Sequence, residues 1–322
     1  MLYRQLSKTN LNVSRVCLGT MTFGDQLDEK AAGQLVHFCI DKGVNFFDTA
    51  NVYGKGLSEE ILGKIIRDCR EKVILATKVR GRMGGEPDQE GLSRKSIARA
   101  VEESLSRLQT DYLDIYYFHQ PDYSVAIEES LEAADRLFEE GKIRYLGISN
   151  YAAWQVSELL STAQINKWLA PNISQPMYNL LARGIEQEYI PMAKKLDVAM
   201  VVYNPLAGGL LTGKHNFERY TPGTRFDGNK MYQDRYWNEG NFHAISELKS
   251  LAECHGRSLS SIALNWILHH TMVETMILGA SSLGQMKQNL ATCEEGPLPE
   301  EVLEGCDRIW RNLRGVSPIY NR

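Results

Sequence analysis

The chain has 322 residues, 43% hydrophobic and 24% charged, proportions of a globular protein with a large buried core. Its formal net charge is −4 and no basic tail or stripe interrupts the sequence, which argues against nucleic acid or anionic membrane as a partner. No run of about 18 apolar residues occurs, and the start Met1-Leu2-Tyr3-Arg4-Gln5 offers no long apolar segment, so neither a membrane span nor a secretory signal is expected.

Short apolar runs alternate with helix-length amphipathic segments. Val16-Cys17-Leu18 predicts a strand ending in Gly19-Thr20. Asp28 predicts a helix N-cap, with Ala31, Leu35, Phe38 and Cys39 at helical spacing and Gly43 just past the end. Residues 44–47 form the next expected strand. Ser58 reads as the cap of a helix to about Cys69, with Glu59 and Glu60 in its first turn. A third strand is expected at 73–77, and Ser93 caps a helix to about Leu108. Strands follow at 113–118 and 143–148, each before a helix (126–140 and about 152–163). A weak strand at 172–174 precedes a helix over 185–196, and 198–202 is the seventh strand. Helices near 242–255 and 259–269, a strand at 275–278 and helices near 283–293 and 299–313 complete the pattern.

Eight βα units, most spaced by about 30 residues, predict an α/β chain folded as a single (β/α)8 TIM barrel over residues 1–322. A doubly wound open sheet is the competing architecture. Its G-x-G-x-x-G fingerprint is missing from the first βα turn, Gly19-Thr20-Met21-Thr22-Phe23-Gly24. From Asn204 to about Gly240 periodicity fades, which predicts a long functional loop after the seventh strand. The six cysteines (17, 39, 69, 254, 293 and 306) form no C-x-x-C pair and lie near no histidine at metal-ligand spacing. They read as reduced thiols of a cytoplasmic protein with no metal site.

Barrel active sites are built at the C-terminal ends of the strands. The residues ending the apolar runs are Gly19, Asp48, Lys78, His119, Ser149-Asn150, Gln175, Tyr203-Asn204 and Gly279-Ala280-Ser281. A buried lone charge costs several kcal/mol, so Asp48 and Lys78 at one barrel mouth are expected to pair. Tyr53 lies five residues beyond Asp48, where a turn can bring its hydroxyl over the same mouth. A neighbouring ammonium favours phenolate, which makes the tyrosine a workable acid or base near neutral pH. His119 could donate to the same substrate oxygen. Each residue alone has a plainer reading: a turn aspartate, a solvated lysine, a turn histidine, a packing tyrosine. Their convergence on successive strand ends favours chemistry.

These segments resemble the aldo-keto reductase superfamily. The resemblance rests on Gly43-Val44-Asn45-Phe46-Phe47-Asp48-Thr49-Ala50-Asn51-Val52-Tyr53-Gly54, continued by Ser58-Glu59-Glu60-Ile61-Leu62-Gly63, and on Ala76-Thr77-Lys78, Tyr117-Phe118-His119-Gln120-Pro121-Asp122, Gly147-Ile148-Ser149-Asn150 and the run from Pro205 to Lys214. It implies a β-hairpin near residues 2–14, a cofactor-covering loop after strand seven, and a catalytic tetrad at Asp48, Tyr53, Lys78 and His119. It implies NADPH as cofactor, with NADH left open. Ser149, Asn150 and Gln175 match the nicotinamide carboxamide contacts, and Tyr203 the aromatic that stacks on the ring. Asn204 stands where a serine is common. Pro205, Leu206, Ala207 and Gly208, with Lys214, match the pyrophosphate clamp, and Arg225 could lie against the adenine or reach a phosphate. Gly19, Thr20, Met21 and Asp48 are further expected cofactor contacts. Gly279, Ser281, Gln285 and Asn289 match the adenosine-phosphate segment, at a helix N-terminus suited to an anion. The positions where many relatives place a lysine or arginine in that segment look like Gly279 and Gln285, and the variant with Ser281, Gln285 and Asn289 resembles the branch containing potassium-channel β-subunits and many bacterial reductases.

The function so implied is NADPH-dependent reduction of small aldehydes or ketones, with Tyr53 as general acid. An NADPH-sensing regulatory subunit with little turnover is the second reading. A metal-dependent barrel hydrolase lacks the clustered ligands it would need. Substrate choice is expected to lie in loops lined by Met21, Phe23, Tyr123 and Trp237 and in the C-terminal tail. The loop from Arg80 to Gly91 reads equally as a lid or a solvated turn. Oligomeric state is not legible.

Overall fold

The computed structural model describes residues 1–316; the last part of the expected C-terminal tail lies outside the described residues. The chain opens with an antiparallel pair, β1 (Tyr3–Gln5) and β2 (Asn12–Ser14). The order then runs β3 (Val16–Gly19), α1 (Glu29–Asp41), β4 (Phe46–Asp48), α2 (Leu57–Ile66), β5 (Ile74–Val79), α3 (Arg94–Leu108), β6 (Leu113–Phe118), α4 (Ile127–Glu139), β7 (Ile143–Ser149), α5 (Ala153–Asn166), β8 (Ile173–Gln175), α6 (Tyr189–Leu196) and β9 (Ala199–Val202). It continues with α7 (Lys230–Tyr236), α8 (Glu239–Cys254), α9 (Leu259–His270), β10 (Thr275–Leu278), α10 (Leu283–Cys293) and α11 (Glu300–Arg314).

Strands β3 to β10 close into a parallel barrel in the order β10-β3-β4-β5-β6-β7-β8-β9. Closure leaves the barrel sheet without a free edge. The hairpin and the barrel are the expected ones.

Residues 1–176, 188–202 and 274–286 form one compact unit. It holds the hairpin, all eight barrel strands and α1 to α6. Its helices are built as the sequence periodicity implies. In α3, Ile97, Val101, Leu105 and Leu108 are buried on one face, and Ser93 accepts from the Ser96 N–H as the cap. Asp28 caps α1 in the same way through Ala31.

The second compact unit comprises residues 177–187, 203–273 and the stretch from Lys287 on. In it α8 packs on α9 and α11. Its distinctive feature is an aromatic cluster. Trp237 has His215, Tyr220, Phe226 and Phe242 as ring neighbours at 4.7–5.8 Å.

Three expectations change. Ser58 is not a cap: Gly56 is the N-cap of α2, and Ser58 lies inside the helix with a fully buried side chain. The helix expected over 185–196 is a 3-10 turn, Gly184–Glu186, followed by α6 from Tyr189; Glu188 is non-helical, and Pro191 fits only a helix that starts close before it. The stretch 204–240 is not wholly irregular, since it contains a 3-10 segment, Ala207–Thr212, and α7.

Candidate active site

Asp48 ends β4, Lys78 is the penultimate residue of β5, and His119 directly follows β6. The register sets Gly19 beside Asp48, Asp48 beside Ala76 and Lys78 beside Tyr117, so these residues stand at the same end of the barrel. The Lys78 side chain is fully buried and Asp48 nearly so. The Lys78 ammonium donates to Asp48 Oδ1, to the Thr49 carbonyl at 2.8 Å and to the Tyr53 hydroxyl at 3.4 Å. Three donors thus meet three acceptors. The other Asp48 oxygen accepts from Gln175 Nε2 at 2.8 Å. As β4 and β8 are not neighbours in the barrel, that bond crosses its interior.

The pairing expected of Asp48 and Lys78 is therefore present. Burial pushes the Asp48 carboxyl above its ordinary range, against the pull of Lys78 and Gln175. Burial also works against charge on Lys78, but Asp48 and Tyr53 outweigh it and hold the amine above the usual lysine value. The pair is an ion pair whose charges compensate each other.

Tyr53 rides on a tight turn, Tyr53–Gly56. Gly54, Lys55 and Gly56 all have positive φ (57°, 55° and 94°), two of them glycines that accept this without strain. The turn lays the Tyr53 ring edge-on to His119, centroids 6.0 Å apart and planes at 79°. Burial, then Lys78 and Arg80, lower the His119 pKa to about 3. Its imidazole is accordingly neutral near pH 7 and can donate one N–H without bringing a charge.

Ser149 ends β7 and donates to the Gln175 carbonyl at 2.9 Å. Asn150 follows in the left-handed region (φ 64°), donating to the His119 carbonyl at 2.8 Å. Asn150, just past β7, thus bonds the His119 backbone, and Gln175, on β8, bonds Asp48. Thr20 is fully buried, its hydroxyl shared with Ser58 at 2.8 Å, while Met21 beside it is 39% exposed. Gly279 is exposed, and an added Cβ would lie in ordinary contact, 3.5 Å, with the Gly19 carbonyl oxygen. Ser281 N–H and hydroxyl both bond Gln285 Oε1 at 3.0 Å, one turn into α10, and Asn289 lies further along that helix.

Other expected cofactor residues lie in the second unit. Asn204 and Ala207 to Gly209 all have positive φ, and successive backbone N–H groups in such conformations can form an anion-binding concavity. Asn204 Nδ2 is buried with no hydrogen-bond partner among the described residues, as a donor awaiting an acceptor would be. Tyr232 donates to Asn204 Oδ1 at 3.3 Å, and Arg225 donates to the Tyr232 hydroxyl at 3.2 Å while lying 5.3 Å from its ring centroid. These features suit a phosphate-bearing cofactor. Tyr203 is half-buried, Pro205 buried, Leu206 half-buried and Lys214 exposed.

Among the candidate substrate-lining residues, Tyr123 is 85% exposed, whereas Phe23 is fully buried and Trp237 belongs to the aromatic cluster. Two participants escaped the sequence reading. Thr49 supplies a carbonyl to Lys78. Arg80, at φ 125°, contributes to the His119 shift. Only Arg80, a cation directly after a strand, left a sequence signal. The loop it opens is tied down: Gly91 N–H returns to the Arg80 carbonyl at 2.9 Å, and Arg99 pairs with Asp88 at 2.8 Å.

Residues 15–311 match the sequence pattern of the aldo/keto reductase family. The chain belongs to the aldo/keto reductase family. This aldo/keto reductase is 38% identical over 325 residues to aflatoxin B1 aldehyde reductase member 2 of Rattus norvegicus, covering 95% of this chain and 87% of that protein. It is 38% identical to human aldo-keto reductase family 7 member A3, with 99% of each chain covered. A probable voltage-gated potassium channel subunit beta of Arabidopsis thaliana is 36% identical, covering 92% of this chain and 93% of that one. An aldo/keto reductase with such relatives is an oxidoreductase, and carbonyl reduction is its supported chemistry. No helix among the described residues is long and apolar enough to cross a membrane, and no group of histidine, cysteine and carboxylate ligands that could hold a metal occurs among them.

Proposed function

We propose that the protein is a cytoplasmic, NADPH-dependent reductase of small aldehydes or ketones, with residues 1–322 acting as one functional domain and Tyr53 as the general acid. The observation that carries this is the Lys78 ammonium 3.4 Å from the Tyr53 hydroxyl, itself locked by Asp48 and Thr49. When bound, the reduced nicotinamide supplies the hydride. Ser149, Asn150 and Gln175 orient its carboxamide. The second-unit residues Tyr203 to Gly208, Lys214 and Arg225 serve the ring and phosphates, and Gly19, Thr20, Met21, Gly279, Ser281, Gln285 and Asn289 supply the remaining contacts.

The chain's own contribution is proton management. A substrate oxygen that gains negative charge needs a proton or a close donor. Tyr53 hands over its phenolic proton, and Lys78 stabilises the phenolate left behind. Neutral His119 donates to the same oxygen and fixes its direction. Asp48 keeps Lys78 charged and in place. Turnover of a carbonyl panel with NADPH and NADH side by side tests the reading: NADPH oxidation on at least one aldehyde or ketone is expected. The relationship to a probable channel subunit favours a second reading, a cofactor-sensing subunit. Tight NADPH binding with no turnover on any carbonyl would select it.

A further inference from the structure

Tyr53 opens a turn with three left-handed residues in succession, so where its side chain points depends on how that turn is held. What fixes it lies just downstream. Ser58 and Glu59, in the first turn of α2, are both fully buried. The Ser58 hydroxyl donates to the Thr20 carbonyl at 2.9 Å and lies 2.8 Å and 3.0 Å from the hydroxyls of Thr20 and Thr49. Thr49 is the residue whose carbonyl accepts from Lys78.

Glu59 reaches the next strand. Its Oε1 accepts from the Thr77 hydroxyl at 2.5 Å, one residue before Lys78. Its Oε2 accepts from Arg107 Nε on α3 at 2.7 Å. The Arg107 stem fills the space under Gly56: a Cβ there would stand 2.8 Å from Arg107 Cδ and 2.9 Å from Nε. The carboxylate thus joins the strand that carries Lys78 to the turn that carries Tyr53. Arg107 also faces Glu103 at 3.7 Å, and the buried Tyr116 phenol on β6 feels both Glu59 and Arg107.

We propose that Ser58, Glu59 and Arg107 are positioning residues that set the distance between the Tyr53 hydroxyl and the Lys78 ammonium, and through it the acidity of Tyr53; this rests on the proton-donor role proposed above. None of the three reaches the reacting atoms. An ion pair closed off behind the strands does more than hold α2 down, because its two ends grip the two elements whose spacing decides the proton donor.

The test is an ultraviolet difference titration of the Tyr53 phenol, wild type minus Tyr53→Phe, repeated in Arg107→Met and Glu59→Gln backgrounds. Titratable groups beside Tyr53 include Lys78 on β5 and His119 just after β6, with Asp48 on β4 bound to Lys78, and all three are retained in these variants. Lengthening the contact with Lys78 raises the Tyr53 midpoint by about one pH unit. A small misplacement also lowers kcat about tenfold or more, and the basic limb of its pH profile moves up in step. Thr77→Val, which removes one hydrogen bond and keeps the shape, moves the midpoint the same way by less and serves where Arg107→Met does not fold. A midpoint unchanged in every variant that folds overturns the proposal and leaves the pair purely structural. A shifted midpoint in a protein that reduces no carbonyl supports the anchor and overturns the reductase reading.

Discussion

The Tyr53 hydroxyl stands 3.4 Å from Lys78 Nζ, the longest of three contacts on an ammonium whose shorter bonds go to Asp48 and the Thr49 carbonyl. The lysine is fixed by its other partners, so the phenol can exchange its proton while the cation stays still. Replacing Tyr53 with phenylalanine leaves Asp48 and Lys78 paired. Steady-state kinetics of Tyr53→Phe should show kcat down by about 10²-fold or more, with NADPH affinity, read by fluorescence quenching, within about twofold of wild type. Undiminished turnover would remove Tyr53 from its role.

Lys78→Met exposes the other half of the pair. Asp48 is left buried with its cation gone, a loss of about 3–5 kcal/mol in stability. The double variant Asp48→Asn with Lys78→Met removes the stranded charge, so urea denaturation should show most of that loss restored. Turnover should not return, since Tyr53 still lacks its cation. Recovery of activity together with stability would show that the pair matters only to folding.

The lowered His119 pKa has a consequence for stability. In the unfolded chain the imidazole takes its proton near 6.5, in the folded chain only near 3. Between those values the unfolded state binds more protons, so stability falls as pH drops from 6.5 toward 3 and the contribution is complete above 6.5. His119→Gln should lose Tm less steeply across that window. Parallel Tm curves for the two proteins would contradict a neutral buried imidazole.

Gly63, on α2, tests the packing that holds the Tyr53 turn. An added Cβ there would lie 2.6 Å from the backbone of Leu108 at the end of α3, where no flexible side chain can yield. Gly63→Ala should cost about 1–3 kcal/mol by overpacking, measurable by chemical denaturation. A neutral result would mean that α2 and α3 shift apart freely.

The barrel was legible because its strands are short apolar runs between punctuated helices. The bounds of β6, α3 and β10 follow from that pattern, and Asp28 and Ser93 cap as their positions suggest. Strand ends were less legible. Asp48 and Lys78 lie inside β4 and β5 rather than after them, since hydropathy stops at a charge whereas the hydrogen-bond ladder does not. Ser58 looked like a cap because a serine before two glutamates usually is one; its actual partners are Thr20 and Thr49, contacts that no local window contains. Helix α7 escaped because its sequence, Lys230-Met231-Tyr232-Gln233-Asp234-Arg235-Tyr236, has no clean apolar stripe. The site was more legible than its supports, because charged residues at successive strand ends are visible in one dimension. Arg107 and Thr77 are ordinary until the fold brings them to Glu59.

Full burial of Lys78 also bears on chemical self-protection. A free amine beside an aldehyde condenses with it to an imine, the route that Schiff-base lysines exploit. That reaction needs a neutral nitrogen with an open approach. Asp48, Thr49 and Tyr53 occupy the directions from which a carbonyl carbon would come, and Asp48 keeps the nitrogen protonated. A site proposed to receive aldehydes can thus hold a buried lysine and not lose it as an imine with its own substrate.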